Sequence, residues 1–178
     1  MVNRRRFIRS IGSVAGAVAA VRAGSVMANT MATRSVSFVH THTGEELTAA
    51  YWKAGRYQPD ELLRVNHLLR DFRTAEVHPI DPALLDLLFD LQSKANSDRP
   101  FQVISGYRSP KTNEMLRQSS DGVAQHSMHL LGRAIDIRLE SFPTRRLGEL
   151  ARFMGRGGVG FYRASDFVHV DTGRVRFW

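Results

Sequence analysis

Ser127-Met128-His129-Leu130-Leu131-Gly132-Arg133-Ala134-Ile135-Asp136 is answered further along the chain by Asp166-Phe167-Val168-His169-Val170-Asp171. Two imidazoles and a carboxylate, with a spare carboxylate beside the last imidazole, are the parts from which a catalytic zinc site is built. Zinc takes nitrogen and oxygen ligands as readily as sulfur, and a hydrolytic site keeps one position for water, so three protein ligands suffice. The chain has no cysteine, so any zinc must be held by such groups. Gly132 suits a bend between a loop carrying His129 and a strand carrying Asp136. His169 falls in a separate strand that can meet them across a sheet.

Around this stretch the apolar pattern changes period. Val36-Ser37-Phe38-Val39-His40 alternates as a strand, Thr43-Gly44 turns, and Leu47 to Trp52 returns, which predicts a hairpin over 36–52. Pro59-Asp60-Glu61 opens a helix with apolar positions from Leu62 to Phe72, and Asp81-Pro82 caps a second helix expected to end near Ser97. A strand at Phe101–Ser105, a helix from Pro110 to about Gln118, a polar loop over 119–125 and a strand at Ala134–Ile137 follow. A helix over Pro143–Met154 and strands at 159–162 and 167–170 complete the pattern. The expected fold class is α+β: a single domain whose mostly antiparallel sheet carries the site, with helices packed against it. Residues 36–98 form a hairpin and helical half and residues 99–178 a catalytic half.

The composition bounds the function. The 178 residues carry 25 Lys and Arg against 17 Asp and Glu, a formal charge of +8. Five of those arginines, Arg4, Arg5, Arg6, Arg9 and Arg22, lie within residues 1–28, which hold no acidic residue, so the rest of the chain is only mildly basic. No basic stripe interleaved with aromatics is present, which argues against nucleic acid as a partner. A mildly basic surface suits an anionic polymer such as cell wall.

The N-terminus reads as an export signal. Asn3-Arg4-Arg5-Arg6-Phe7-Ile8-Arg9 resembles the twin-arginine pattern, and a Gly/Ala-rich apolar run from Ile11 to Ala20 follows. That run is too short and too weakly apolar to span a bilayer, and Arg22 interrupts it. Val26-Met27-Ala28 offers a cleavage site, so residues 1–28 form the expected signal peptide and 29–178 the mature domain. An uncleaved N-terminal anchor is the alternative. The expectation is a periplasmic, monomeric chain without stable membrane insertion after cleavage.

The complete string is more specific than any of its pairs. Ser-x-His-x-x-Gly-x-Ala-x-Asp followed by acid-x-x-His resembles the zinc D,D-peptidases, which include D-Ala-D-Ala dipeptidases and carboxypeptidases, phage endolysins and murein endopeptidases and share the hedgehog-domain fold. The resemblance covers about Phe101 to Trp178, and the helical first half with the arginine signal is similar to the exported murein endopeptidases. It implies one Zn2+ per chain held by His129, Asp136 and His169, peptidoglycan peptide stems as substrate, and Arg108, in Ser105-Gly106-Tyr107-Arg108-Ser109, as stabiliser of the developing oxyanion. It also implies Asp166, three residues before the last ligand, as general base and then acid.

In a flat strand, positions three apart face opposite sides, so Asp166 reaches the metal only from a bend before the strand. Asp171, two beyond His169, is the rival base and otherwise orients a ligand imidazole. His126 is expected on the substrate side or in solvent, Ser127 to bond substrate or the loop of His129, and Tyr107 and Tyr162 to line the cleft or pack in the core. His40, His42, His67 and His78 fall in no ligand pattern. The bond expected to be cleaved joins D-alanine to meso-diaminopimelate. A D-alanine carboxypeptidase, an L,D-endopeptidase and an inactive zinc-stabilised murein-binding module are the alternatives.

Overall fold

The computed structural model describes residues 33–119 and 123–178, so the arginine-rich leader and its cleavage site lie outside the described residues. Eight strands form one sheet: β1 (Arg34–His40), β2 (Glu46–Lys53), β3 (Arg56–Tyr57), β4 (Phe101–Ser105), β5 (Ala134–Leu139), β6 (Gly158–Tyr162), β7 (Phe167–Asp171) and β8 (Arg176–Phe177). Their order is β3-β2-β1-β4-β5-β7-β6-β8. Only β1 with β4 and β6 with β8 run parallel, so the sheet is mostly antiparallel. Among the described residues four α-helices accompany it: α1 (Pro59–Leu68), α2 (Pro82–Lys94), α3 (Pro110–Ser119) and α4 (Thr144–Met154). The domain is α+β, as the sequence pattern predicts.

Strand alternation gives the sheet two faces with different tasks. Ile135, Ile137 and Leu139 of β5, Val168 and Val170 of β7, and Phe101 and Val103 of β4 are all buried in the main core. Against them pack Leu84, Leu85, Leu88 and Leu91 of α2 and Leu147 and Ala151 of α4. Each such side chain contributes about 1.5–3 kcal/mol on burial, enough to fix which face of β5 turns inward. The same alternation sends Asp136 and Arg138 to the opposite face. A slip of one residue in β5 would bury Asp136 in the apolar core, so the core sets the register of the site.

Asp86 joins the hairpin to α2. It accepts hydrogen bonds from Tyr51 at 3.0 Å, Tyr57 at 2.6 Å and Arg34 at 2.8 Å. Burial and the hydrogen bond to Asp86 push the Tyr57 hydroxyl up to about 12.

Two helix ends differ from the sequence expectation. The first helix stops at Leu68 and leaves Phe72 in a turn, because the Leu69 carbonyl accepts from Tyr107 N and the Asp71 carboxylate accepts from Arg73 N. The second stops at Lys94 rather than near Ser97, since Asn96 adopts φ +49° and cannot continue a helix. The short strands β3 and β8 carry no alternation that a sequence pattern could register. The segment of His129, expected as a loop, is a 3-10 turn over Met128–Leu131.

Candidate metal centre and its cleft

Ser127 starts that turn, its hydroxyl accepting from His129 N at 3.3 Å. Gly132 ends it in the left-handed region at φ +63°, where a side chain is costly. A Cβ at Gly132 would also collide with the Pro79 carbonyl, and the Gly132 carbonyl accepts from Asp81 N. The glycine therefore reverses the chain and lets it lie against the start of α2. Two residues later the chain enters β5, where Asp136 stands in register with His169 of β7.

His129, Asp136 and His169 converge in one buried group. His129 Nε2 lies 3.2 Å from Asp136 Oδ1 and 3.1 Å from His169 Nδ1, and His169 Nδ1 lies 2.9 Å from Asp136 Oδ1. Outward contacts fix both rings. His129 Nδ1 is 2.7 Å from the Gly106 carbonyl, which can only accept, so that nitrogen carries the proton. His169 Nε2 is 3.0 Å from Asp171 Oδ2 and donates to it. Each ring thus turns a bare lone pair toward the other and toward a carboxylate.

Three acceptors at this spacing repel unless a cation lies among them. Ligands about 2.0–2.1 Å from a tetrahedral zinc stand roughly 3.3 Å from one another, close to the spacing found. The donor set, two imidazole nitrogens and one carboxylate oxygen with no thiolate, therefore fits zinc.

Electrostatics agree with the geometry at Asp136 and His129, whereas His169 is shifted toward its charged form. Burial disfavours the Asp136 anion, but the two imidazoles outweigh it and hold this carboxyl far below its ordinary range. Burial pushes the His129 imidazole down, toward the neutral form that ligates. Burial also opposes a charge on His169, and hydrogen bonds to Asp136 and Asp171 outweigh it, so this ring is raised.

Asp171 is fully buried and heavily bonded. It accepts from His169 Nε2, from Gly158 N and Gly173 N at 3.0 and 2.7 Å, and from both terminal nitrogens of Arg176 at 3.1 and 2.7 Å. A carboxylate offers about four lone-pair sites, so none remains for another donor.

Asp166 occupies the turn before β7 at φ +49°, so the bend that its sequence position requires is present. Its side chain is exposed, does not line the cleft, and lies 3.7 Å from Arg138 Nε. Arg138 also donates to the Asp166 and Ser165 carbonyls and holds the turn beside the site face of β5.

A cleft of about 730 Å³ opens over the three ligands. Arg108, His126, Ser127 and Tyr162 line it. Arg108 is mostly buried, 3.6 Å from Asp136 Oδ2 and 3.5 Å from Asn113 Oδ1, while its Nε has no partner among the described residues. Tyr107 does not line the cleft: it is buried and stacks on His78, ring centroids 4.6 Å apart.

Four residues of the site escape sequence reasoning. Asn113 holds Arg108 and donates to the Ala124 carbonyl. Arg176 neutralises Asp171, and Arg73 lines the cleft rim. Trp178 lies over Gly160, where a Cβ would strike its ring, with its centroid 5.3 Å from that of His169. Only the spacing Asp171-Thr172-Gly173-Arg174-Val175-Arg176, a tight turn between opposite charges, carried a signal for one of them.

Comparisons with known proteins agree with this geometry. A peptidase M15 family model, described as peptidoglycan L,D-endopeptidase MepK, matches residues 28–178. Peptidoglycan L,D-endopeptidase MepK of Escherichia coli K12 is 38% identical over 176 residues, covering 99% of this chain and 97% of the relative. Probable peptidoglycan L,D-endopeptidase MepK of Haemophilus influenzae is 37% identical over 179 residues, covering 99% and 95%. Full-length matches of this strength, on a chain that brings the two imidazoles and the carboxylate together, identify a peptidase that belongs to the M15 family, in its murein endopeptidase branch.

Proposed function

We propose that this peptidase is a zinc-dependent endopeptidase that cuts peptide cross-links of peptidoglycan outside the cytoplasm. The observation that carries the reading is the group of three lone-pair atoms, His129 Nε2, Asp136 Oδ1 and His169 Nδ1, with both ring protons donated outward. These residues would hold the ion. When bound, it polarises the scissile carbonyl and lowers the pKa of water toward about 7.

The remaining work falls to the protein. Arg108, fixed by Asn113 and lining the cleft beside Asp136, meets the negative charge that develops on the carbonyl oxygen. Asp166 takes the proton of the attacking water and returns it to the leaving amine. Its place in a bend three residues before His169 supports that role. Asp171 has every lone pair engaged, which supports a role in orienting His169 instead. Ser127 holds the turn of His129, and His126 lies on the substrate side of the cleft.

For the bond cleaved, the curated names of both relatives favour an L,D amide. The D,D bond between D-alanine and meso-diaminopimelate is the second reading, supported by the resemblance to D,D-peptidases. No helix among the described residues is long and apolar enough to cross a membrane. The arginine-rich leader, with residues 1–28 as a signal of the twin-arginine type, supports export to the periplasm of a monomeric domain formed by residues 29–178.

The test gives the zinc-loaded protein purified dimers joined by an L,D or a D,D amide, alongside His169→Ala and Asp166→Asn. Wild type converts L,D dimers to monomers and both variants lose at least about 100-fold of the rate. Release of terminal D-alanine alone moves the activity to a carboxypeptidase. Intact dimers beside stoichiometrically bound zinc overturn the reading in favour of a binding module.

A further inference from the structure

The cleft carries three guanidinium groups, and among the described residues only two of them are paired with a carboxylate. Arg176 is paired with Asp171, and Arg108 approaches Asp136. Arg73, in the turn after α1, lines the same cleft and has no acidic partner among the described residues. Its guanidinium carbon lies 4.2 Å from the centroid of the Phe72 ring, and that ring stacks on His42 at 4.2 Å and 11°. The arginine is therefore held in place without being neutralised.

Buried Asp71 ties this turn to the other arginine. One of its oxygens accepts from Arg73 N at 2.9 Å and the other from Ser109 N at 2.8 Å, next to Arg108. Two like charges are thereby set facing one cavity. Arg108 is itself mostly buried, so water screens the repulsion between the two guanidinium groups poorly. An anion entering between them would relieve that repulsion.

The sheet order places this feature on one side of the ligands. Phe72 packs beside His40 at the end of β1, and Ser109 follows β4. Trp178 pairs with β6 on the other side of the β5–β7 pair that bears Asp136 and His169. The cleft thus has a cationic side and an aromatic side, with the scissile position between them.

We propose that Arg73 is a substrate-carboxylate subsite, binding a free carboxylate of the acidic peptide stem while the scissile amide lies over His129, Asp136 and His169. A guanidinium offers two parallel N–H donors that match a carboxylate, which a backbone amide of the substrate cannot do. The proposal rests on the cleft being a peptidoglycan-peptide site, and it deepens that reading by naming what the substrate must carry.

The test measures binding rather than turnover, so it stands whether or not dimers are cut. An uncross-linked muropeptide monomer, with its free carboxylates intact or converted to amides, is titrated into the full zinc-loaded chain by calorimetry. Wild type should bind the acidic form about 10- to 100-fold more tightly than the amidated form. Arg73→Gln should bring that ratio near one, and Arg73→Lys, which keeps the charge but loses the fork, should leave an intermediate ratio. The ratio is internal to each protein, so a partly unfolded sample does not mimic the effect. An equal preference in wild type and Arg73→Gln, or wild type without preference, overturns the proposal. Failure of the zinc-loaded enzyme to cut any dimer, with the ratio intact, would sink the endopeptidase reading and leave the subsite standing.

Discussion

His169 donates from Nε2 to Asp171 Oδ2 at 3.0 Å while its Nδ1 stands 2.9 Å from Asp136 Oδ1. One ring thereby links a saturated buried carboxylate to the candidate ligand set, and its tautomer is decided outside the metal position. Every contact that Asp171 makes is with a donor. In Asp171→Asn the new NH2 must face one of those donors whichever way the amide turns. Metal affinity should fall about 10- to 100-fold, measured by competition with a chromophoric chelator. Unchanged affinity would refute the link.

Metal should also stabilise the fold, because it replaces repulsion among three acceptors. At free zinc one hundred times the dissociation constant the gain is about 2.7 kcal/mol. Scanning calorimetry should show the unfolding temperature of wild type rising with zinc and that of His129→Ala not responding. A His129→Ala protein that responds like wild type would place the ion elsewhere.

Gly132→Ala should destabilise the domain by about 2 kcal/mol or more. The substitution meets both the left-handed backbone and the Pro79 carbonyl, and no flexible side chain can yield. Urea unfolding at neutral pH measures it. A loss below about 0.5 kcal/mol would mean that the turn after His129 relaxes freely.

Asp71 predicts a pH dependence. Burial works against its charge, and hydrogen bonds from Thr112, Ser109 and Arg73 outweigh it, so its carboxyl is held below the ordinary value. A carboxyl lowered in the folded state stabilises above the unfolded value of about 3.9 and loses that contribution as pH falls through the folded value. Asp71→Asn should therefore be less stable than wild type by about 1–3 kcal/mol at pH 7, and the gap should close below about pH 4. A gap that persists unchanged at pH 2 would remove the charge from the explanation.

The period of the apolar residues was enough to predict the hairpin, α2, β5 and the α+β class, because burial on one face leaves a mark on every second or third position. The candidate ligands were visible as well, since His129, Gly132 and Asp136 act through local spacing. What escaped depends on long-range approach. Asn113 and Arg176 act on groups that another element supplies, and Trp178 gains its place only because Gly160 leaves room beneath it. Alternation could not decide between Asp166 and Asp171. The hydrogen bonds that saturate Asp171 arise from Gly158, Gly173 and Arg176, whose convergence no spacing announces.

The central claim is that His129, Asp136 and His169 hold one zinc ion on which cleavage depends. Chelator-stripped protein should be titrated with zinc while cleavage of L,D-linked dimers is followed by mass spectrometry. The account predicts no cleavage without metal and a rate that rises to a plateau at one zinc per chain. Cleavage by the stripped protein, or no cleavage with one equivalent bound, would contradict it.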